Sequence, residues 1–575
     1  MIKLFRYMKP YTGMVVTIIF FMFAQAMAEL YLPTLMSDIV DNGMINGDTG
    51  YIIRYGGYML VVALFSTFCA IAGSLLSART GIGFGRDLRE KVFTQVEGYS
   101  LYEFDKIGAA SLITRTTNDI TQIQMVLVMA FRFIIYSPIM CIGAIIMAEY
   151  KDKQLTWILA IVLPALILLI GGIAVAIVPL FQEMQRRIDK VNLVMRENLT
   201  GIRVIRAFNR LIHERIKFKK ANKELTDVSI KVNKIMAAMQ PVMMLTMNVT
   251  TVAVIWFGGV RVAQNNLQIG DMMAFMQYAI QAMFSLVMVS IMFVMLPRAE
   301  ASAVRVNEVL TLVSEINDPQ MPKKADKKRG FVEFKDVMFS YHGAESPVIK
   351  NISFTANPGE TTAIIGGTGS GKSTLINLIP RFYEVDGGSV MVDGVDVREM
   401  TQDDLRAKIG FVPQTAVLFS GTVTENIKYG KDDATEEEVR YAGDVAQATS
   451  FIQDMPDGFN SYIAQGGTNV SGGQKQRLSI ARALVRKPEV YIFDDSFSAL
   501  DFKTDALLRA ALKKETRDST VIIVAQRVSS ILDADRIIVL DEGEIVGIGR
   551  HKELMNTCEV YREIVYSQLS EEEIA

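Results

Sequence analysis

Three cysteines, three histidines and a formal net charge of −2 leave this 575-residue chain without several familiar signals. Cys69, Cys141 and Cys558 lie far apart, two of them inside apolar runs. That spacing excludes a disulfide framework or a metal-binding knuckle and suits small buried hydrophobes. The near-neutral charge excludes the basic excess expected of a nucleic-acid binder. No small-residue cleavage site follows the first apolar run, which is also too long for a signal peptide. Polarity itself is scarce: 50% of residues are hydrophobic and the mean hydropathy is +0.25, too apolar for an ordinary soluble protein.

The apolarity is concentrated in six runs, near 14–36, 56–78, 125–149, 155–181, 236–259 and 272–297. Each is long enough to cross a bilayer, which takes about 20 helical residues. After Pro297 the chain turns polar, and "SEINDPQMPKKADKKRG" (314–330) reads as a charged linker. Beyond it, short apolar strands alternate with helical stretches, the pattern of an α/β domain. The expected fold is therefore an α-helical membrane domain over 1–313 with six transmembrane helices, a linker over 314–330, and an α/β domain over 331–575.

Basic residues set the orientation. Lys3, Arg6 and Lys9 precede span one, and Arg79, Arg86, Arg89, Lys91 and Arg115 lie between spans two and three. The connection between spans four and five is denser still, with Arg186, Arg187, Lys190, Arg203, Arg206, Arg210, Lys219 and Lys220. "SDIVDNGMINGDTG" (37–50) has no basic residue at all. Both termini and the α/β domain are thus expected in the cytoplasm. The two basic connections keep apolar residues at three-to-four spacing, which predicts helices that project from the membrane and dock on the α/β domain.

The chemistry lies in that domain. "TTAIIGGTGSGKSTLINLI" carries G-x-x-x-x-G-K-[ST] after a strand and before a helix, the phosphate-binding loop in its required context. Gly366, Gly367, Thr368, Gly369, Ser370 and Gly371 let backbone N–H groups close around phosphates. Lys372 reaches the outer ones, and Ser373, followed by Thr374, offers a hydroxyl to Mg²⁺. Asp494, ending the strand "EVYIF", supplies a carboxylate to the same Mg²⁺ shell. Between them, Ser471, Gly472, Gly473 and Gln474 of "SGGQKQRLSIARAL" open a helix whose N-terminus faces an anion. One chain does not easily fold that helix onto its own phosphate loop, so a second nucleotide domain is expected. The cofactors expected are ATP and Mg²⁺.

The order of phosphate loop, "GFVPQ", "SGGQ", strand-end aspartate and "SALD" resembles the ATP-binding cassette transporters. Six spans ahead of one cassette look like an ABC exporter half-transporter of the bacterial multidrug type, and the resemblance covers essentially the whole chain. It implies that Tyr341 stacks on adenine and that Gln414 senses Mg²⁺ or the attacking water and links the site to the membrane helices. It also implies that Asp501 contacts the opposite site of a dimer, and that the protein resides in the bacterial cytoplasmic membrane.

Two positions depart from the family pattern. Asp495 stands where a catalytic glutamate is expected, and Gln526 where a histidine is expected; His213, His342 and His551 cannot replace it by position. Gln465 is a softer departure, at a place where an acidic residue is usual. A general base contributes about 10²–10⁴-fold to rate, and a displacement of about 1 Å, the size of one methylene, costs about 10²-fold. The site is expected to bind ATP and hydrolyse it slowly. Such sites resemble the degenerate member of heterodimeric ABC exporters. The expected partner is a second half-transporter with intact glutamate and histidine, to which this chain lends its "SGGQ".

The cargo is less legible. Spans five and six hold twelve of the 32 methionines, among them Met243, Met247, Met276 and Met283. Methionine suits ordinary packing and equally a surface for varied hydrophobes, with Gln240, Asn248, Gln277 and Gln281 as polar handles. Glu29 and Arg132 lie in or at the edge of apolar runs, where charge is costly. Small amphipathic compounds and membrane lipids are the expected partners, with no nucleic acid. Lipid, peptide or haem-like cargo, or a nucleotide-gated regulatory subunit, are the alternatives.

Overall fold

The computed structural model describes residues 2–325 and 329–569. Part of the expected linker, 326–328, and the last six residues lie outside the described residues. By its internal contacts the chain divides into two units, Met1–Glu97 with Ala109–Leu312, and Gly98–Gly108 with Val313–Ala575. The sequence-based boundaries assign 98–108 to the membrane domain, whereas in the structure this short segment packs with the α/β unit.

Among the described residues of the first unit, six helical stretches are long and apolar enough to cross a membrane. They are Lys3–Met44, Thr49–Glu97, Ala109–Lys151, Thr156–Thr200, Leu211–Ala263 and Ile269–Thr311. Each contains one of the six expected spans. The stretches overrun the hydrocarbon: 49 residues in Thr49–Glu97 come to about 74 Å of helix, against about 30 Å of bilayer core. The basic connections are thus helical extensions of spans two to five.

The apolar core of this unit gathers where spans one, three, four and six meet, around Leu30, Met140, Leu159, Phe275 and Tyr278. Tyr278 is fully buried, and its hydroxyl satisfies itself on Leu30 O (3.0 Å) and Thr34 Oγ1 (2.7 Å). Toward the ends of the spans, charges are paired. Lys151 reaches Asp271 at 2.6 Å and Arg261 reaches Asp152 at 2.7 Å. At the other end the fully buried Asp119 accepts from Arg305 and Ser302. A buried carboxylate is tolerable only when paired and hydrogen-bonded in this way.

The second unit has twelve described strands: β1 Val332–Phe339, β2 Ile349–Ala356, β3 Thr361–Gly366, β4 Gly387–Val392, β5 Val395–Asp396, β6 Ile409–Val412, β7 Gly421–Thr422, β8 Tyr462–Ile463, β9 Val490–Asp494, β10 Thr520–Val524, β11 Arg536–Asp541 and β12 Glu544–Gly549. They form a four-stranded sheet β2-β1-β4-β5, a six-stranded sheet β12-β11-β3-β10-β9-β6 and a β7-β8 pair. From β11 to β6 the large sheet is parallel, with only β12 antiparallel. Its central strands are buried along their length; β9 and β10 have no exposed residue. That explains why "VYIF" and "TVIIV" read as unbroken apolar runs: a parallel strand covered on both faces has no polar side to show.

Candidate nucleotide site

In an open parallel sheet, ligands bind outside the carboxyl ends of the strands. Four neighbouring strands here, in the order β3, β10, β9, β6, end in the segments that carry the expected chemistry. β3 leads into the phosphate-binding loop, β10 into Gln526, β9 into Asp494 and Asp495, and β6 into Gln414. The register places Asp494 beside Val524, and the Asp495 N–H donates to Val524 O at 2.9 Å.

The loop needs its glycines. A Cβ on Gly366 would lie 2.1 Å from Leu540 O, and Gly369 and Gly371 have φ of +86° and +95°. Gly371 caps the helix Lys372–Asn377. Lys372 folds back on its own loop, donating to Gly366 O (2.9 Å) and Gly367 O (2.6 Å). Burial pushes its ammonium below the usual lysine range, against the pull of Asp495 and Asp494. Ser373 Oγ donates to Asp494 Oδ1 at 3.0 Å, so two of the three expected Mg²⁺ ligands are in contact, while the third, Gln414, lies against Asp495. Asp494 is buried, and burial, with Asp495 beside it, pushes its carboxyl up against the Ser373 bond and Lys372. A serine hydroxyl and two adjacent carboxylates form an all-oxygen donor set with excess negative charge, which fits a divalent cation such as Mg²⁺.

Asp495 is also buried and adopts φ +46°, a conformation that aspartate tolerates better than most side chains. Gln414 Nε2 lies 3.5 Å from its Oδ2, a contact at the outer limit of a hydrogen bond. Gln526 is exposed, and its backbone carbonyl accepts from Gln568. Tyr341 is 39% exposed, with its hydroxyl on Thr374 Oγ1 at 2.9 Å and its ring edge-on to Phe339 and Tyr383. An aromatic ring left partly exposed beside the phosphate loop offers surface to a stacking base.

The remaining expected residues form a second cluster. Ser471 caps the helix Gly472–Val485 with a reciprocal box, accepting from Gln474 N and donating its own N–H to Gln474 Oε1 at 2.8 Å. The neighbouring N–H groups of Gly472 and Gly473 in the first turn stay open to an anion. A Cβ on Gly473 would lie 3.1 Å from Ala499 O, so "SGGQ" and "SALD" are packed side by side. Asp501 is exposed and caps the helix Phe502–Glu515, and its bonds from Thr504 hold its carboxyl below the usual range. Among the described residues no hydrogen bond joins Ser471–Gln474 to the phosphate loop. Gln465 opens a short 3₁₀ turn before this cluster.

Sequence reasoning missed the anchoring of the first basic connection. The helix Leu101–Ile107 is capped by a box between Ser100 and Glu103. Glu103 is 1% exposed, and its carboxylate accepts from Ser100 N at 2.8 Å and Glu315 N at 3.1 Å. Tyr102 packs its ring 4.8 Å from that of His342, the neighbour of Tyr341. The S-x-x-E signature was available at 100–103, but the partners 200 residues away were not.

The family profile described as "ABC transporter transmembrane region" matches residues 15–286, and that described as "ABC transporter" matches 349–498. The chain is 44% identical to an uncharacterized ABC transporter ATP-binding protein of Mycobacterium tuberculosis, over 98% of this chain and 97% of that one. It is 31% identical to an ATP-dependent lipid A-core flippase of Syntrophus aciditrophicus, over 90% of this chain and 86% of that one. It is also similar to the solved structure of a bacterial Atm1-family ABC exporter with ATP bound, with a TM-score of 0.80, 25% identity and coverage of 97% and 100%.

Proposed function

The chain belongs to the ABC transporter family, as a multi-pass membrane exporter with a cytoplasmic nucleotide-binding domain, and from that premise we propose that it is one half of a heterodimer. In this reading it moves amphipathic compounds out of the cell, binds ATP at a slowly hydrolysing site of its own, and lends Ser471–Gln474 to a faster site on its partner. The observation that carries the reading is the pair Asp495 and Gln526 at two adjacent strand ends, where efficient hydrolysis calls for a longer carboxylate and a group able to carry charge. The relative named as a lipid A-core flippase supports a large amphipathic cargo.

The binding half of the site is complete. Tyr341 offers a ring to adenine, Lys372 can exchange two loop carbonyls for phosphate oxygens, and Ser373 and Asp494 are placed to hold Mg²⁺. Bound there, Mg²⁺ would offset the negative charge of the phosphates. Asp495 is the group left to orient water, one methylene short, with Gln414 as its neighbour. Gln526 donates a hydrogen bond and carries no charge.

Two surfaces support the need for a second chain. The first-turn N–H groups of Gly472 and Gly473 point at no acceptor of their own loop. The helix Ile202–Ala207, at the tip of the second basic connection, buries none of its residues, and Val204, Phe208 and Ile212 around it are 60%, 74% and 73% exposed.

The test is ATP turnover by this chain paired with a partner whose own catalytic glutamate is inactivated, leaving this site alone visible. Turnover is expected at least ~10²-fold below that of the intact pair. Asp495→Glu with Gln526→His should raise it more than either change alone. Full-speed turnover from the unmodified chain would make Asp495 a competent base and end the degenerate-site reading.

A further inference from the structure

Glu29 sits in the first span, nine residues before the helix Thr12–Asp38 ends. Three helices supply its partners, and all of them are neutral. Gln25 Nε2 donates to Oε1 at 2.9 Å from the same helix, and Ser66 Oγ donates to Oε1 at 3.3 Å from span two. The Tyr136 hydroxyl donates to Oε2 from span three. Among the described residues Glu29 has no ion pair. Every other carboxylate described above near the spans is offset: Asp271 by Lys151, Asp152 by Arg261, Asp119 by Arg305.

A carboxylate inside an apolar span is costly and calls for a partner. Three neutral donors orient Glu29 but bring no opposite charge to it. Gln25 and Ser66 share Oε1, while Oε2 takes one bond and keeps a lone pair free. Glu29 is only partly buried, so the carboxylate is accessible from one side. Buried carboxylates of this chain that take only neutral donors, such as Glu103, are closed from solvent; Glu29 is instead a pre-oriented, partly open acceptor with no cation bonded to it.

We propose that Glu29, oriented by Gln25, Ser66 and Tyr136, binds the ammonium group of a transported amphipath. This rests on the reading of the chain as an exporter of amphipathic compounds. The ammonium can belong to a wholly cationic amphipath or to a zwitterionic head group. Arg132 bears on the choice. It lies four residues before Tyr136 in the π-helical turn Phe131–Tyr136, is exposed, and forms no ion pair among the described residues. It is placed to meet the anionic half of a zwitterion.

The test uses the full chain in lipid nanodiscs and three probes with the same dodecyl tail, headed by trimethylammonium, phosphocholine or neutral maltose. Calorimetry below the micellar range should find the trimethylammonium probe bound at least ~10-fold tighter than the neutral one, with Glu29→Gln erasing that preference and Glu29→Asp keeping part of it. Arg132→Gln should weaken the phosphocholine probe alone if the natural head group is zwitterionic, and neither charged probe if it is cationic. Absence of a charge preference in the unmodified chain, or one unchanged in Glu29→Gln, overturns the proposal. Carbodiimide labelling of Glu29, followed by mass spectrometry, gives a second readout without a substitution. The trimethylammonium probe should slow it and the neutral probe should not; equal protection also overturns the proposal. Charge-dependent binding with no effect of any probe on the pair's ATPase would keep the site and sink the transport reading. Stimulation by all three probes alike would keep transport and sink the site.

Discussion

The two cytoplasmic connections begin as near equals in the sequence and end differently. Both are basic, both keep an apolar stripe, and both carry a short helix at the tip, Leu101–Ile107 and Ile202–Ala207. The first is capped by its own S-x-x-E box, buries Glu103 against Glu315, and stacks Tyr102 on His342. The tip helix of the second buries none of its residues and leaves Val204 and the following Phe208 open. The nucleotide domain repeats the contrast. The phosphate-loop side closes on itself, down to Lys372 on its own carbonyls, while the Gly472–Val485 helix presents an open N-terminus. In both places one member finds its partner within the chain and the other does not. In the proposed heterodimer the open members are the ones that meet the second chain.

The largest effect should come from breaking the open member. In the proposed heterodimer, Ser471→Arg puts bulk where the partner's site needs a helix N-terminus and should abolish ATP turnover of the pair, whereas Lys372→Ala, on the self-closed side, should leave part of it. ATPase assays on the co-purified pair decide this, and the reverse ranking would mean the two sites are assigned the wrong way round.

A smaller, two-sided effect should separate the tips. Glu103→Ala removes the N3 half of the capping box and leaves the Ser100 and Glu315 N–H groups without their acceptor, at a cost of about 1–3 kcal/mol, so the isolated chain should melt lower. Phe208→Asp touches no buried contact and should leave that melting point within about 0.5 kcal/mol of the original, yet weaken assembly with the partner. Thermal unfolding of the single chain and size-exclusion of the pair read the two effects independently. A Phe208→Asp variant that assembles normally would erase the contrast between the tips.

The smallest effect sharpens the self-closed side. The Asp494 carboxyl is pushed above its ordinary value chiefly by burial. A raised carboxyl favours the protonated form, so its burden on the fold is absent below the unfolded pKa and grows as pH rises through the folded one. Asp494→Asn should therefore raise the melting point of the nucleotide-free chain at pH 7 and change it little at pH 4, while lowering Mg²⁺-dependent nucleotide affinity. Equal shifts at both pH values would mean that burial of the charge is not the cause.

Contiguous chemistry was legible in advance. The glycines of 366–371, Lys372, Ser373, the Ser471 cap and Asp494 each declare themselves within a few residues of sequence, because a tight loop or a helix start is a local event. The six spans were equally plain, since a bilayer demands about 20 apolar residues in a row. What was hidden depends on distant partners. Glu29 could be flagged as a charge in an apolar run, but its donors Ser66 and Tyr136 are 37 and 107 residues away. The grouping of 98–108 with the α/β unit was hidden for the same reason: Glu103 looks like a helix cap until Ser314 and Glu315 arrive beside it. Thr374, read only as part of a phosphate loop, also holds the Tyr341 hydroxyl.

The long helices also differ in stiffness. Thr156–Thr200 contains Pro164 and Pro179, and Leu211–Ala263 contains Pro241; each is a place where a helix can bend. Thr49–Glu97 runs 49 residues with no proline. It is a lever of about 74 Å, and it feeds through Gly98 directly into the segment that holds Tyr102 and Glu103. Tilting such a rod by about 5° swings its far end by about 6 Å, more than one turn of helix. A small tilt among the spans is therefore magnified at the Gly98 end of this helix, and no proline lies along it to absorb the bend.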